Sequence, residues 1–210
     1  MRSGIDVEVG HRVRSVFAAI LLAGMCACTG APLALEAPTP STAATPTLPL
    51  VVAGQSNAVN VAPFLREVYP QAVLSDSTQG ARPIASWRPD EQPPVLWPIL
   101  ADTLHQPVHA VVWWQGESDR ENPRYLDDLR ELVVRIRREN NNPALPIVVI
   151  RVLDLPSNAA VRSAQLAFVA GDPSAVLVSS DGPAFQDGTT DHLTDAGYRE
   201  VALRIVSSLR

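Results

Sequence analysis

Five short apolar runs, each separated from the next by a stretch with helical spacing, restrict this chain more than any other feature. The runs are residues 49–53, 72–74, 108–114, 146–152 and 175–178. They are rich in Val, Ile and Leu and lack the apolar–polar alternation of a strand with one wet face. Between them, residues 58–68, 95–104 and 159–170 place apolar side chains three and four apart. Asn122-Pro123 reads as an N-cap followed by proline at the first helical position, and Thr194 reads as the cap of a last helix striped with Tyr198, Val201, Ala202, Ile205 and Leu209. Alternation of this kind predicts a parallel sheet with helices on both faces, a three-layer α/β/α sandwich with five strands.

The first 48 residues do not share this pattern. His11, Arg12 and Arg14 precede a short apolar run, VFAAILLAG, and a small-residue segment containing Cys26 and Cys28. That order is expected of an export signal, and Gly24-Met25-Cys26-Ala27-Cys28 resembles a lipobox with Cys28 as the lipidated residue. Residues 1–28 are therefore read as a signal peptide. Residues 29–48, dominated by Pro, Ala and Thr, are read as a linker, and residues 49–210 as the folded domain. The expected location is periplasmic or cell-surface through a lipid anchor, otherwise secreted. Because both cysteines fall in the leader, no disulfide is available to the domain.

Charge narrows the chemistry. The formal net charge is −5, with all 17 cations arginine and no lysine. An acidic balance disfavours a nucleic-acid partner, and the absence of lysine excludes Schiff-base and P-loop lysine mechanisms. Ligands of a doubly wound sheet bind beyond the C-terminal ends of its strands. Three polar segments fall at such ends: Gly54-Gln55-Ser56-Asn57, Gln115-Gly116-Glu117-Ser118-Asp119 and the stretch 181–192, which ends in His192. Ser56 at a strand-to-helix junction serves either as an N-cap or as a nucleophile whose oxyanion meets helix N–H groups. His192, flanked by Asp187 and Asp191, is either an incidental loop histidine or a base oriented by a carboxylate.

GQSN, WWQGESD and the C-terminal D-H-L-T-D-A-G-Y stretch resemble the SGNH hydrolase superfamily, nearest its sialate O-acetylesterase-like and acetylxylan-esterase-like branch. The likeness runs over about residues 50–205. It implies a flavodoxin-like fold and a serine esterase that removes O-acetyl groups from carbohydrates without metal or cofactor. In residue terms it implies Ser56 as nucleophile and His192 as general base. It also implies an oxyanion hole from the Ser56 and Gly80 N–H groups and the Gln115 amide. Asn57 and Glu117 are expected to support the loop, and Arg82, Trp87 and Arg88 to contact sugar, with Trp97 and Trp113 in the core. The family places Asp three residues before the histidine, where this chain has Thr189. Asp187 is favoured as the orienting acid, with Asp191 or a Ser–His dyad as alternatives. An esterase for longer acyl chains and a non-catalytic glycan-binding module are the competing readings.

Overall fold

The computed structural model describes residues 48–90, 95–186 and 191–210. The leader, the linker up to residue 47, Cys28 and Asp187 lie outside the described residues. Five parallel strands form one sheet: β1 (Leu50–Gly54), β2 (Ala72–Leu74), β3 (Ala110–Trp114), β4 (Ile147–Ile150) and β5 (Ala175–Val178), in the order β2-β1-β3-β4-β5. The helices are α1 (Ser56–Val68), α2 (Leu96–Leu104), α3 (Tyr125–Glu139), α4 (Ala159–Ala170) and α5 (Asp195–Ser208).

Side-chain alternation along each strand sorts the core into two layers. Val51, Ala53, Val111, Trp113, Ile147 and Val149 pack with α2, α3 and α4 on one face. Leu50, Val52, Ala110, Val112, Trp114, Val148 and Ile150 pack with α1 and α5 on the other. The three central strands are buried at every position, as their apolar runs require. The edge strands depart from the expectation of full burial: Val73 on β2 and Val176 on β5 are exposed. Each edge strand has one uncovered flank, so one of its side chains reaches water.

Two local expectations are corrected. The helix expected to start at Asn122 begins at Tyr125. Asn122 instead accepts the Arg124 N–H through Oδ1 at 2.9 Å and spends its amide on Asp119 and Asp128. A turn and two buried carboxylates compete successfully for the capping side chain. Trp87, expected to contact sugar, ends a 3₁₀ turn at Ile84–Trp87 that drives it into the core. Thr194 caps α5 as expected, accepting the Gly197 N–H.

In the order 2-1-3-4-5 the chain leaves β1 toward one edge and reaches β3 on its other side. The carboxyl ends of β1 and β3 thus flank the crevice where such sheets bind ligands. Ser56 follows β1 and Gln115 follows β3.

Candidate active site

The junction after β1 is built around Gly54. Its φ is +138°, and a Cβ there would lie 2.0 Å from the Trp114 carbonyl oxygen. Only glycine lets β1 pass this close to β3. The next peptide closes the gap, with the Gln55 N–H donating to Trp114 O at 2.9 Å. Gln55, not Ser56, takes the N-cap position of α1. Ser56 therefore stands in the first helical turn, half-buried, where its own N–H has no intrahelical acceptor. Ser56 is therefore not the cap of α1.

Asn57 is fully buried and ties three segments together. Its Nδ2 donates to Glu117 Oε1 at 2.7 Å and to the Asp191 carbonyl at 2.9 Å. Its Oδ1 accepts from the Tyr198 hydroxyl at 2.6 Å. One side chain next to Ser56 thus holds the residue next to His192, 134 positions away. The His192 segment is pinned from the other side as well: Gln186 N–H donates to His192 O, and the Thr194 N–H donates to Ala184 O, both at 3.0 Å. Gly80 completes the cluster, since a Cβ on it would lie 3.7 Å from Ser56 Cβ.

Glu117 is buried at the bottom of this arrangement. Loss of hydration pushes its carboxyl up to about 6, against its own backbone hydrogen bond and the Asn57 amide; the nearby Asp191 charge adds to the rise, and Arg120 opposes it. Its Oε2 has no hydrogen-bond partner among the described residues.

Three other expected residues are placed differently. Trp87 is entirely buried, edge-on to Trp113 with ring centroids 5.1 Å apart, and is a core residue that cannot reach a sugar. Gln115 is also fully buried, and its Nε2 already donates to Arg82 O at 3.1 Å and Asp119 Oδ2 at 2.5 Å. Turning the amide over would set Oε1 against a carbonyl and a carboxylate, so the orientation is fixed. Both its hydrogens are committed, and the atom left without a partner among the described residues is the acceptor Oε1. Gln115 thus holds the loop instead of offering a donor to an oxyanion. The Asp191 carboxylate faces Arg120 at 2.5 Å, so this alternative acid is spent on an ion pair. Arg82 remains exposed beside Gly80, its Nε on Gln79 Oε1 at 3.2 Å. Arg88 is paired with Asp90 at 2.9 Å.

Several residues that shape the site went unrecognised in the sequence. Arg120 donates to Asn158 Oδ1 at 2.8 Å as well as to Asp191, joining the loops after β3 and β4 to the His192 segment. Tyr198 belongs by its spacing to the core stripe of α5. It lies there, but its hydroxyl orients Asn57. The signal in each case is a polar group in an otherwise apolar or strand-end setting.

A parallel 2-1-3-4-5 sheet with a serine beyond β1 and a histidine segment tied beside it defines an SGNH-type hydrolase fold. A family model described as carbohydrate esterase, sialic acid-specific acetylesterase, matches residues 73–209, and the chain belongs to that family. The match begins after the Ser56 segment. No curated protein matches the chain. Among solved structures, an Arabidopsis thaliana protein aligns at 22% identity and TM-score 0.57, over 71% of this chain and 65% of that one. A carbohydrate acetylesterase from Xanthomonas citri aligns at 20% identity and TM-score 0.52, over 70% of this chain and 38% of that one. The chain therefore spans less than two thirds of the length of either. A putative SGNH hydrolase from Slackia heliotrinireducens aligns at 15% identity and TM-score 0.55, over 78% of this chain and 99% of that one. At such identities the likeness shows the fold alone.

Proposed function

We propose that this member of the carbohydrate esterase family is a serine esterase that removes O-acetyl groups from carbohydrates, with Ser56 as nucleophile and His192 as general base. The observation that carries the reading is the Asn57 amide, which joins the residue after Ser56 to the residue before His192. Two segments distant in sequence are held together at the strand ends where such sheets act.

In this scheme His192 takes the Ser56 proton as Oγ attacks the acetyl carbonyl. The negative charge that develops on the carbonyl oxygen faces the Ser56 N–H at the start of α1 and the Gly80 N–H. Collapse breaks the ester bond. His192 returns its proton to the departing sugar oxygen, and the acetyl group stays on Ser56 as an ester. Water, deprotonated by His192, then attacks the acetyl-enzyme, releasing acetate and restoring Ser56. Arg82 stands exposed beside Gly80 and is the side chain we assign to substrate contact. Export and lipidation at Cys28 would put this site in reach of extracellular glycans.

The test is turnover of p-nitrophenyl acetate and an acetylated xylan by the full chain and by Ser56→Ala and His192→Ala. Loss of about 10³-fold or more in both variants is expected. Wild-type turnover by Ser56→Ala rules out the serine mechanism, and a preference for octanoate over acetate esters overturns the acetyl specificity.

A further inference from the structure

The segment 80–83 after the Ser56 helix is exposed along its whole length, and Ala81 within it adopts φ +54°. A left-handed alanine is not a conformation the chain takes without restraint. In this exposed stretch, hydrogen bonds on either side of Gly80 restrain where its N–H points. Before Gly80, the Gln79 N–H donates to Gly54 O at 3.2 Å. After it, Arg82 O accepts from Gln115 Nε2 at 3.1 Å, and the Ile84 N–H donates to Asp119 Oδ2 at 2.7 Å. The second hydrogen of Gln115 goes to the same Oδ2. Both restraints on the far side of Gly80 thus converge on one oxygen of one buried carboxylate.

We propose that Asp119 is the positioning residue of the oxyanion loop. Through Oδ2 it fixes Ile84 directly and Arg82 by way of Gln115, and so aims the Gly80 N–H at the oxygen of the acetyl carbonyl whose carbon Ser56 attacks. The inference rests on the serine-esterase reading above. Its geometry also accounts for why Gln115 sits where an oxyanion donor is expected and yet faces inward. The other carboxylate oxygen serves a separate purpose: Oδ1 accepts from Asn122 Nδ2 at 2.9 Å, on the side of the turn that precedes α3. The two oxygens therefore divide into one that faces the loop and one that faces the scaffold, which allows the proposal to be separated from a structural role.

The experiment compares Asp119→Ala, Asp119→Asn and Asn122→Ala with wild type and Ser56→Ala, using the full chain. It measures kcat and KM for p-nitrophenyl acetate, inhibition by a boronic acid that mimics the oxyanion, and melting temperature. Asp119→Ala is expected to lower kcat about 10²-fold, the effect of losing one oxyanion donor, with KM within about threefold. Boronate affinity should fall in parallel. Asp119→Asn keeps one oxygen for Ile84 and Gln115 and should recover about a tenth of wild-type kcat. Asn122→Ala should lower the melting temperature while leaving kcat and boronate affinity at wild-type values. The proposal is overturned if Asp119→Ala keeps wild-type kcat, or if Asn122→Ala loses kcat as Asp119→Ala does. Should the alanine variant not fold, Asp119→Asn decides alone: wild-type kcat and boronate affinity overturn the proposal. Ser56→Ala separates the two levels. If it is inactive while the Asp119 variants behave as wild type, only the positioning role falls. If Ser56→Ala turns over normally, both fall.

Discussion

Replacing Glu117 with glutamine should stabilise the protein relative to wild type at neutral pH but not in acid. Burial raises the Glu117 carboxyl from its ordinary 4.5 to about 6. A raised value means that the folded state binds the proton more tightly than the unfolded chain does. The contribution of protonated Glu117 is therefore complete below about 4.5 and is lost as pH rises through about 6. At 1.36 kcal/mol per unit, wild type loses about 2 kcal/mol on this account between pH 4.5 and pH 7.5. Glutamine does not titrate. It keeps an oxygen to accept from Asn57, and its amide stands where Oε2 lacks a partner. Any cost of that amide is the same at every pH. The stability difference between variant and wild type should thus move by about 2 kcal/mol in favour of glutamine from pH 4.5 to 7.5, or about 4–8 °C in Tm for a domain of this size. Urea unfolding followed by tryptophan fluorescence at five pH values measures it. A difference that stays flat across this range would refute the buried, uncompensated carboxyl.

Other variants test the scaffold. Gly54→Ala would force a Cβ to 2.0 Å from Trp114 O at a positive φ; it should cost more than about 4 kcal/mol and leave little soluble protein on expression. Trp87→Ala empties a fully buried site against Trp113 and should cost about 3–5 kcal/mol in chemical denaturation, with KM for acetyl esters unchanged in the fraction that folds. Tyr198→Phe removes the donor to Asn57 Oδ1 and the acceptor of the Leu193 N–H. It should cost about 1–3 kcal/mol by urea unfolding and lower kcat, because Asn57 loses its orientation.

The layering was legible in the sequence because central parallel strands must be apolar at every position, and β1, β3 and β4 are buried throughout. Thr194 was legible because its hydroxyl accepts a local N–H of the helix it starts, Gly197, three residues on. Asn122 was not, because its Oδ1 accepts within the preceding turn while its amide is oriented by Asp119 and Asp128, and neither carboxylate's burial can be read from local spacing. Trp87 failed for a related reason. A tryptophan among Pro and Arg reads as surface until a 3₁₀ turn sends it under α2 and α3. Gln115 was found at the right strand end but given the wrong direction. Residue type and position establish that an amide is present; only the acceptors around it decide which way its hydrogens point.

The buried polar groups behind Ser56 form two separate systems. Asn57, Glu117, Tyr198, Asp191 and Arg120 hold the histidine side of the site. Gln115 and Asp119 hold the Gly80 side. They start from neighbouring residues of one strand end, Gln115 and Glu117, whose side chains serve opposite systems. Gly116 between them has φ +143°, and a Cβ there would lie 2.6 Å from Val161 Cγ1. That glycine lets the chain turn sharply against α4, so the two flanking side chains can serve different loops. In the proposed mechanism His192 and the Gly80 N–H come from distant loops, and both must be aimed at Ser56. Branching that control from a single strand end keeps the two aims in register, since any shift of β3 moves both together.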